Sequence, residues 1–234
     1  CERTVNAMHA CLLKVPWSGS GKGLNWCLHG FTKPVSNWCE RVLREQGCLT
    51  AEPIYNKVKD FALEFYSDGR GEVRFAGYSV FSTNEHGAYT GNLLASDGQI
   101  EESIACCLSL EKLTGIREAL RAELASIYGN TYTGYLGVDM MVCRSDKENG
   151  YRVHPCVEIN MRMNMGVVAR LFYDRFVVPG SKGCFAVEYV PDNETLRARH
   201  EQDVHDYPLT VEQGRLASGY LPLVPVTGKS CLRG

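Results

Sequence analysis

No stretch of this sequence approaches the roughly 20 consecutive apolar residues of a membrane-spanning helix, and no secretory leader is legible. An excess of either charge is also missing. Lys and Arg number 25 against 27 Asp and Glu, a formal net charge of −2, so nothing marks a nucleic-acid or membrane-surface partner. No Cys-x-x-Cys pair occurs among the eleven cysteines, which argues against a zinc ribbon or a thioredoxin-type site. Their number is odd, most sit inside apolar runs, and 234 residues need no disulfide staples, so they read as reduced core residues of a cytoplasmic protein. The six histidines stand at no metal-ligand spacing, and no repeat or low-complexity tract appears. Strict βαβ alternation is absent too, which points to an α+β fold rather than a doubly wound sheet.

What is present is concentrated in two apolar runs. Gly137-Val138-Asp139-Met140-Met141-Val142-Cys143 is followed by a polar turn and then by Val157-Glu158-Ile159-Asn160-Met161-Arg162-Met163-Asn164. Two such runs with a turn between them make a hairpin. Alternation along a strand puts Glu158 and Asn160 on one face, and Asp139 interrupts the first run. Two acids and an amide projecting together form an oxygen-rich pocket of the kind that hard cations such as magnesium prefer. Solvent-facing strand acids are the bland alternative, but acids are depleted in strands and these break apolar runs.

Elsewhere, residues 8–15 read as a buried strand ending at Pro16, and 36–46 as a helix capped by Ser36 and stopped by Gly47. Residues 49–55 read as a short strand. A hairpin is expected at 60–66 and 72–83 around Asp68-Gly69-Arg70-Gly71. One long helix is expected over 101–128, stopped at Gly129, and another over 163–173. Tyr89, Gly91 and Asn92 read as a polar surface loop, and His200, Glu201, Asp203 and His205 as a solvated charged cluster. Met161, Met163 and Met165 read as core filling, with the lining of an apolar part of a cleft as the alternative.

Between Pro16 and Leu24 lies Ser18-Gly19-Ser20-Gly21-Lys22-Gly23. Glycines let backbone amides approach a bound group, so this loop is a candidate phosphate cradle. It is not a Walker loop, which needs Gly where Pro16 stands and Ser or Thr where Gly23 stands, and its Gly spacing is not the dinucleotide fingerprint. A plain flexible turn is the commoner meaning of such a loop. Lys14 raises the interest, because it sets an ammonium at a strand end just before the loop; a snorkelling strand-end lysine is its bland reading.

Taken in order, Lys14-Val15-Pro16, the loop 18–23, Glu52-Pro53-Ile54-Tyr55, Asp60-Phe61-Ala62-Leu63-Glu64-Phe65, Asp139 and Glu158-Ile159-Asn160 resemble the ATP-grasp superfamily. That superfamily includes the D-alanine ligases, biotin carboxylases and glutathione synthetases. The resemblance covers residues 8–170 and leaves the subfamily open. It implies two α+β subdomains gripping ATP between them, here residues 1–50 as the small subdomain with a glycine-rich lid loop and 51–234 as the large one carrying the metal site. By the same resemblance Lys14 contacts the nucleotide phosphates, and Ser18, Gly19, Ser20 and Gly21 form the loop that closes over them. Glu52 and Tyr55 would meet adenine and Asp60 the ribose, while Asp139, Glu158 and Asn160 would hold Mg2+. Arg162 sits where several members carry arginine in a Glu-x-Asn-x-Arg run; it holds a carboxylate or acylphosphate, or else makes a surface ion pair. The family usually places a further domain ahead of the grasp, ending in another phosphate-contacting lysine. The sequence starts at Cys1 without it, which implies either a longer protein or a shortened member.

The activity implied is that of a ligase using ATP and Mg2+ to activate a small-molecule carboxylate as an acylphosphate and join it to an amine or thiol acceptor. The alternatives are an ATP-grasp phosphotransferase or a non-catalytic nucleotide-binding module. No nucleic-acid or membrane partner is expected, and a homo-oligomer is left open.

Overall fold

The computed structural model describes residues 1–18, 23–85, 87–145, 150–226 and 232–233. They form two compact units, one of Cys1–Asn56 with Thr83–Tyr89, the other of Lys57–Ser82 with Thr90–Gly234. Among the described residues no helix is long and apolar enough to cross a membrane.

The first unit runs α1 (Glu2–Met8), β1 (Cys11–Lys14), β2 (Leu24–Cys27), α2 (Lys33–Gln46) and β3 (Thr50–Pro53). Its antiparallel sheet has the order β2-β1-β3. Cys11 and Leu13 alternate with Leu12 and Lys14, so one sheet face meets Val5, Val35 and Cys39 in a small core and the other carries Leu12 and Lys14. The expected strand over 8–15 is therefore shorter, because α1 occupies residue 8 and His9 turns the chain at φ 59°. Helix α2 starts earlier than expected. Thr32 is at the N-cap position and Pro34 sits in the first turn, where its missing amide costs nothing, while the Ser36 hydroxyl donates to Glu40 instead of capping. Gly47 ends the helix in the left-handed region.

The second unit contains β4 (Lys57–Asp68), β5 (Val73–Thr83), β6 (Tyr89–Leu94), α3 (Asp97–Ala105), α4 (Leu110–Tyr128), β7 (Thr133–Ser145), β8 (Gly150–Asn160), α5 (Met165–Phe176) and β9 (Gly183–Ala186). A smaller tail follows: β10 (Glu188–Tyr189), α6 (Asn193–Asp206), β11 (Thr210–Glu212), β12 (Arg215–Ser218) and β13 (Leu232–Arg233). The main sheet has the order β8-β7-β4-β5-β6-β9. On one face Phe61, Leu63 and Phe65 of β4 and Leu136, Val138, Met140 and Val142 of β7 pack against Ile100, Ile104, Leu113 and Leu124 of α3 and α4. The alternate residues, Ala62, Glu64, Gly137 and Asp139, therefore belong to the opposite face. Helix α5 is pinned to the unit by Arg170, which bonds Asp97 Oδ1 at 3.1 Å, the Ala95 carbonyl at 3.2 Å and Asp174.

The single helix expected over 101–128 is two. Ser96 and Gln99 form a capping box that starts α3, and Ser109 accepts from the Lys112 amide to start α4. The helix expected over 163–173 begins at Met165, capped by Asn164, and runs to Phe176. The charged cluster at 200–205 lies on α6, a largely exposed helix with Leu196 buried. Tyr89, Gly91 and Asn92 are strand residues rather than a surface loop, and Asn92 is buried, donating to Ser79 Oγ at 2.6 Å. The cysteine expectation holds only in part. Cys11, Cys27, Cys39 and Cys143 are buried, whereas Cys1, Cys48, Cys106, Cys156 and Cys184 are exposed. Met161 and Met163 are exposed and fill no core, while Met165 packs beside Ala169 and Tyr173.

Candidate functional site

In the first unit, Leu12 is opposite Glu52 and Lys14 opposite Thr50, so Lys14 and Glu52 are diagonal neighbours on the face away from the core. They form an ion pair, Lys14 Nζ to Glu52 Oε2, at 2.6 Å. After β1 the Ser18 hydroxyl donates to the Val15 carbonyl, and the Val15 amide donates to the carbonyl of Gly23, which stands at φ 79°. Ser18 thus flanks the loop that follows Lys14; Gly19, Ser20 and Gly21 lie outside the described residues. Tyr55 is exposed between β3 and β4.

In the second unit, Asp139 of β7 stands directly opposite Glu158 of β8, so both project to one face, with Asn160 two residues on. The register then slips: Met141 faces His154, leaving Pro155–Val157 against Met140. Pro155 has no amide to give a neighbour, and β8 is the edge strand, where that loss is tolerated. Asn160 Nδ2 donates to Asp139 Oδ2 at 3.0 Å, and Arg162 donates to Asn160 Oδ1 at 3.1 Å. Burial and the facing Glu158 carboxylate push Asp139 up to about 7; Asp60 adds to the rise, while the Asn160 bond and the Arg162 cation oppose it. Asp60, on β4, accepts from Lys57 Nζ at 2.5 Å. The geometry therefore brings Asp139, Glu158, Asn160 and Arg162 together, with the charge of Asp60 felt by Asp139.

Two crowded carboxylates, one held partly protonated by its surroundings, suit a small divalent cation, which would relieve their repulsion. The Asn160 amide now turns its NH2 to Asp139 and its carbonyl to Arg162, so offering that oxygen to a cation requires the amide to rotate. Among the described residues no group of three or more His, Cys, Asp or Glu side chains could hold a metal ion alone. Magnesium commonly takes one or two carboxylates and completes its shell with water and substrate phosphates.

One participant is absent from the residues picked by sequence. Glu64 of β4 is 1% exposed, on the Asp139 face of the sheet, and accepts from Asn164 Nδ2 at 2.8 Å. Asn164 also caps α5 by accepting from the Val167 amide at 2.9 Å. Burial pushes Glu64 up to about 8, against the Asn164 bond and with a further push from Asp139. That rise favours the neutral acid form of this buried carboxyl beneath the hairpin end. The signal that finds it is the one that found Asp139: an acid inside an apolar strand, here Phe61-Ala62-Leu63-Glu64-Phe65.

No protein-family model matches the chain, and no curated protein matches it. Solved structures do. The biotin carboxylase domain of Hydrogenobacter thermophilus 2-oxoglutarate carboxylase, determined with MgADP, ADP and bicarbonate, superposes at a TM-score of 0.55 over 94% of this chain at 14% identity. The N5-carboxyaminoimidazole synthetase of Staphylococcus aureus, determined with ADP, gives 0.52 over 93% at 12% identity. The Aspergillus clavatus N5-carboxyaminoimidazole synthase, with ADP and 5-aminoimidazole ribonucleotide, gives 0.53 over 90% at 13% identity. The chain spans 51%, 59% and 55% of those three proteins, respectively. Both kinds of enzyme are ATP-grasp ligases, and at such identities the likeness fixes architecture alone: this chain has the ATP-grasp fold.

Proposed function

We propose that the protein binds ATP with Mg2+ and uses it to activate a carboxylate as an acylphosphate, which an amine or thiol then attacks. The observation that carries this reading is the facing pair Asp139 and Glu158, with Asn160 bonded to the first. The nucleotides in the related structures support it. Bound there, Mg2+ would neutralise charge on the transferring phosphoryl group.

The chain's own residues take the other tasks. Phosphoryl transfer asks for positioning and charge neutralisation more than for covalent chemistry. Lys14 would meet the phosphates, and Ser18 with Gly19, Ser20 and Gly21 would close over them and keep water from the acylphosphate. Glu52 and the Tyr55 backbone would read adenine, and Asp60 the ribose hydroxyls. Arg162, whose guanidinium matches a carboxylate geometrically, would hold the acceptor acid or its phosphate. Lys14 and Arg162 are thus the two residues proposed to act on the reacting groups.

The test is product analysis. Pools of small carboxylates and of amines and thiols are offered with Mg-ATP, separately and together. ADP and phosphate should appear with an amide or thioester only when both pools are present. Phosphate passed to a single acceptor with no new amide or thioester would replace this reading with a phosphotransferase.

A further inference from the structure

Between α3 and α4 the chain turns through Cys106-Cys107-Leu108-Ser109. The two adjacent sulfurs stand 3.3 Å apart. Cys106 is exposed and Cys107 half-buried, so the pair is open to solvent. Cys106 Sγ donates to the Ser103 carbonyl at 3.5 Å, and Lys59 Nζ donates to the same carbonyl at 2.5 Å, which sets a fixed cation beside both thiols. Burial and the Cys106 sulfur raise Cys107, and Lys59 pulls it back toward the thiolate.

The two thiols are already in hydrogen-bond contact, so a single centre can bridge both with little movement. With metal–thiolate bonds of about 2.3 Å, sulfurs at a right angle stand about 3.3 Å apart, those of a tetrahedral centre about 3.8 Å and those of a linear one about 4.6 Å. The observed spacing matches the right-angled, pyramidal case. The surroundings agree, because a tetrahedral zinc ion wants four ligands. No group of three or more His, Cys, Asp or Glu side chains that could hold a metal exists among the described residues. A trivalent centre that brings its own substituent needs only two protein sulfurs.

We infer that Cys106 and Cys107 form a bidentate site for a pyramidal, thiophilic trivalent centre, with monosubstituted arsenicals as the ligand class. The reaction changes no oxidation state. Each sulfur forms one bond to arsenic, the arsenic–oxygen bonds of the oxide break, and the oxygen leaves as water with the two thiol protons. The lysine ammonium favours loss of the Cys107 proton. The fold holds a second close pair, Cys11 opposite Cys27 across β1 and β2, but both are buried, at 0% and 1% exposure, and so out of reach while the chain is folded.

Phenylarsine oxide tests this on the folded 234-residue chain, read by native mass spectrometry. One phenylarsine unit should bind, survive excess glutathione and leave with 2,3-dimercaptopropanol. Cys106→Ser and Cys107→Ser should each weaken retention by roughly 100-fold, because the second bond is intramolecular in the pair. Cys27→Ser should change nothing. Retention by Cys106→Ser equal to wild type, or stripping of the wild-type adduct by glutathione, would overturn the site. Should a variant fail to fold, wild type is alkylated with and without the arsenical. Protection confined to Cys106 and Cys107 supports the site, and protection elsewhere refutes it.

Discussion

Glu64 and Asn164, a hundred residues apart in sequence, share one buried hydrogen bond of 2.8 Å that ties the cap of α5 to the middle of β4. The connection from Asn160 and Arg162 into α5 is thereby anchored from below. A protonated acid suits this place, since an ionised one would be a buried charge without a cation. Glu64→Gln, which keeps shape and neutrality, should hold the melting temperature near wild type. Glu64→Ala leaves the Asn164 amide unpaired and a void behind it, and should cost about 2–4 kcal/mol. Chemical denaturation of both variants checks this, and a Gln variant as weak as the Ala variant would mean that the acid is ionised.

The same residue gives stability a slope with pH. Its folded value, about 8, lies above its ordinary 4.5. Between those values the native state holds a proton that the unfolded chain has released. The stabilisation is therefore complete below about pH 4.5 and is lost as pH rises through 8. Asp139, raised to about 7, adds to the trend. Stability should thus fall on the order of a few kcal/mol between pH 5 and 8. In Glu64→Gln the decline should be shallower. Equal slopes in the two proteins would remove Glu64 from the account.

Close approach makes two glycines necessary beside this acid. A Cβ on Gly166 would collide with Glu64 Oε1 and Ser79 Oγ, and one on Gly137 with Asn164 Nδ2 and Glu64 Oε2. The obstacles are short, buried and bonded, so they have little room to give. Gly137→Ala and Gly166→Ala should each destabilise by about 1–3 kcal/mol, against near neutrality for Gly98→Ala, whose Cβ meets nothing. Thermal melts of the three variants make the comparison.

The metal reading is tested through ligand-linked stability. A ligand that binds only the folded state adds about 2.7 kcal/mol at a hundred times its dissociation constant. Mg-ATP should raise the melting temperature of wild type, and Glu158→Gln should remove most of the gain. That glutamate is exposed, so its loss should leave the unliganded melt almost unchanged. A variant that responds to Mg-ATP as wild type does would dissociate Glu158 from the cation.

How much of this could be read from sequence depended on whether a residue broke a pattern. Asp139, Glu158 and Asn160 interrupt apolar strands with period two, so both the hairpin and the shared face were legible. Helix α1 has a single buried residue, Val5, and α6 has Leu196 alone, so neither presents a stripe to recognise. The break between α3 and α4 hides because both halves keep apolar spacing and the interruption is made by Ser109, not by Gly or Pro. Burial at Asn92 is set by strand order, with β6 lying between β5 and β9, and no local pattern states that order. The Lys14–Glu52 pair is likewise a product of register, joining residues 38 positions apart through the pairing of β1 with β3.

That pair frames the last prediction. In the reading proposed above, Glu52 accepts a hydrogen bond from the adenine amine, and Lys14 fixes the carboxylate that does so. One oxygen, Oε2, is bonded to Lys14, which leaves Oε1 to meet the base. Guanine would present a carbonyl at that position, setting two acceptors face to face without a proton. Such a mismatch costs about 1–3 kcal/mol, or roughly ten- to a hundredfold in affinity. Wild type should prefer ATP over GTP by that factor, and Glu52→Ala should lose most of the preference. Lys14→Ala should weaken ATP and ADP more than adenosine, since the phosphates lose their cation while the base keeps its acceptor. The half-buried ion pair itself contributes little to folding, about 0–1 kcal/mol, so neither variant should melt early. Calorimetric titration of ATP, ADP, adenosine and GTP into the three proteins reads all of these effects. An ATP preference that survives in Glu52→Ala would place adenine recognition on another residue.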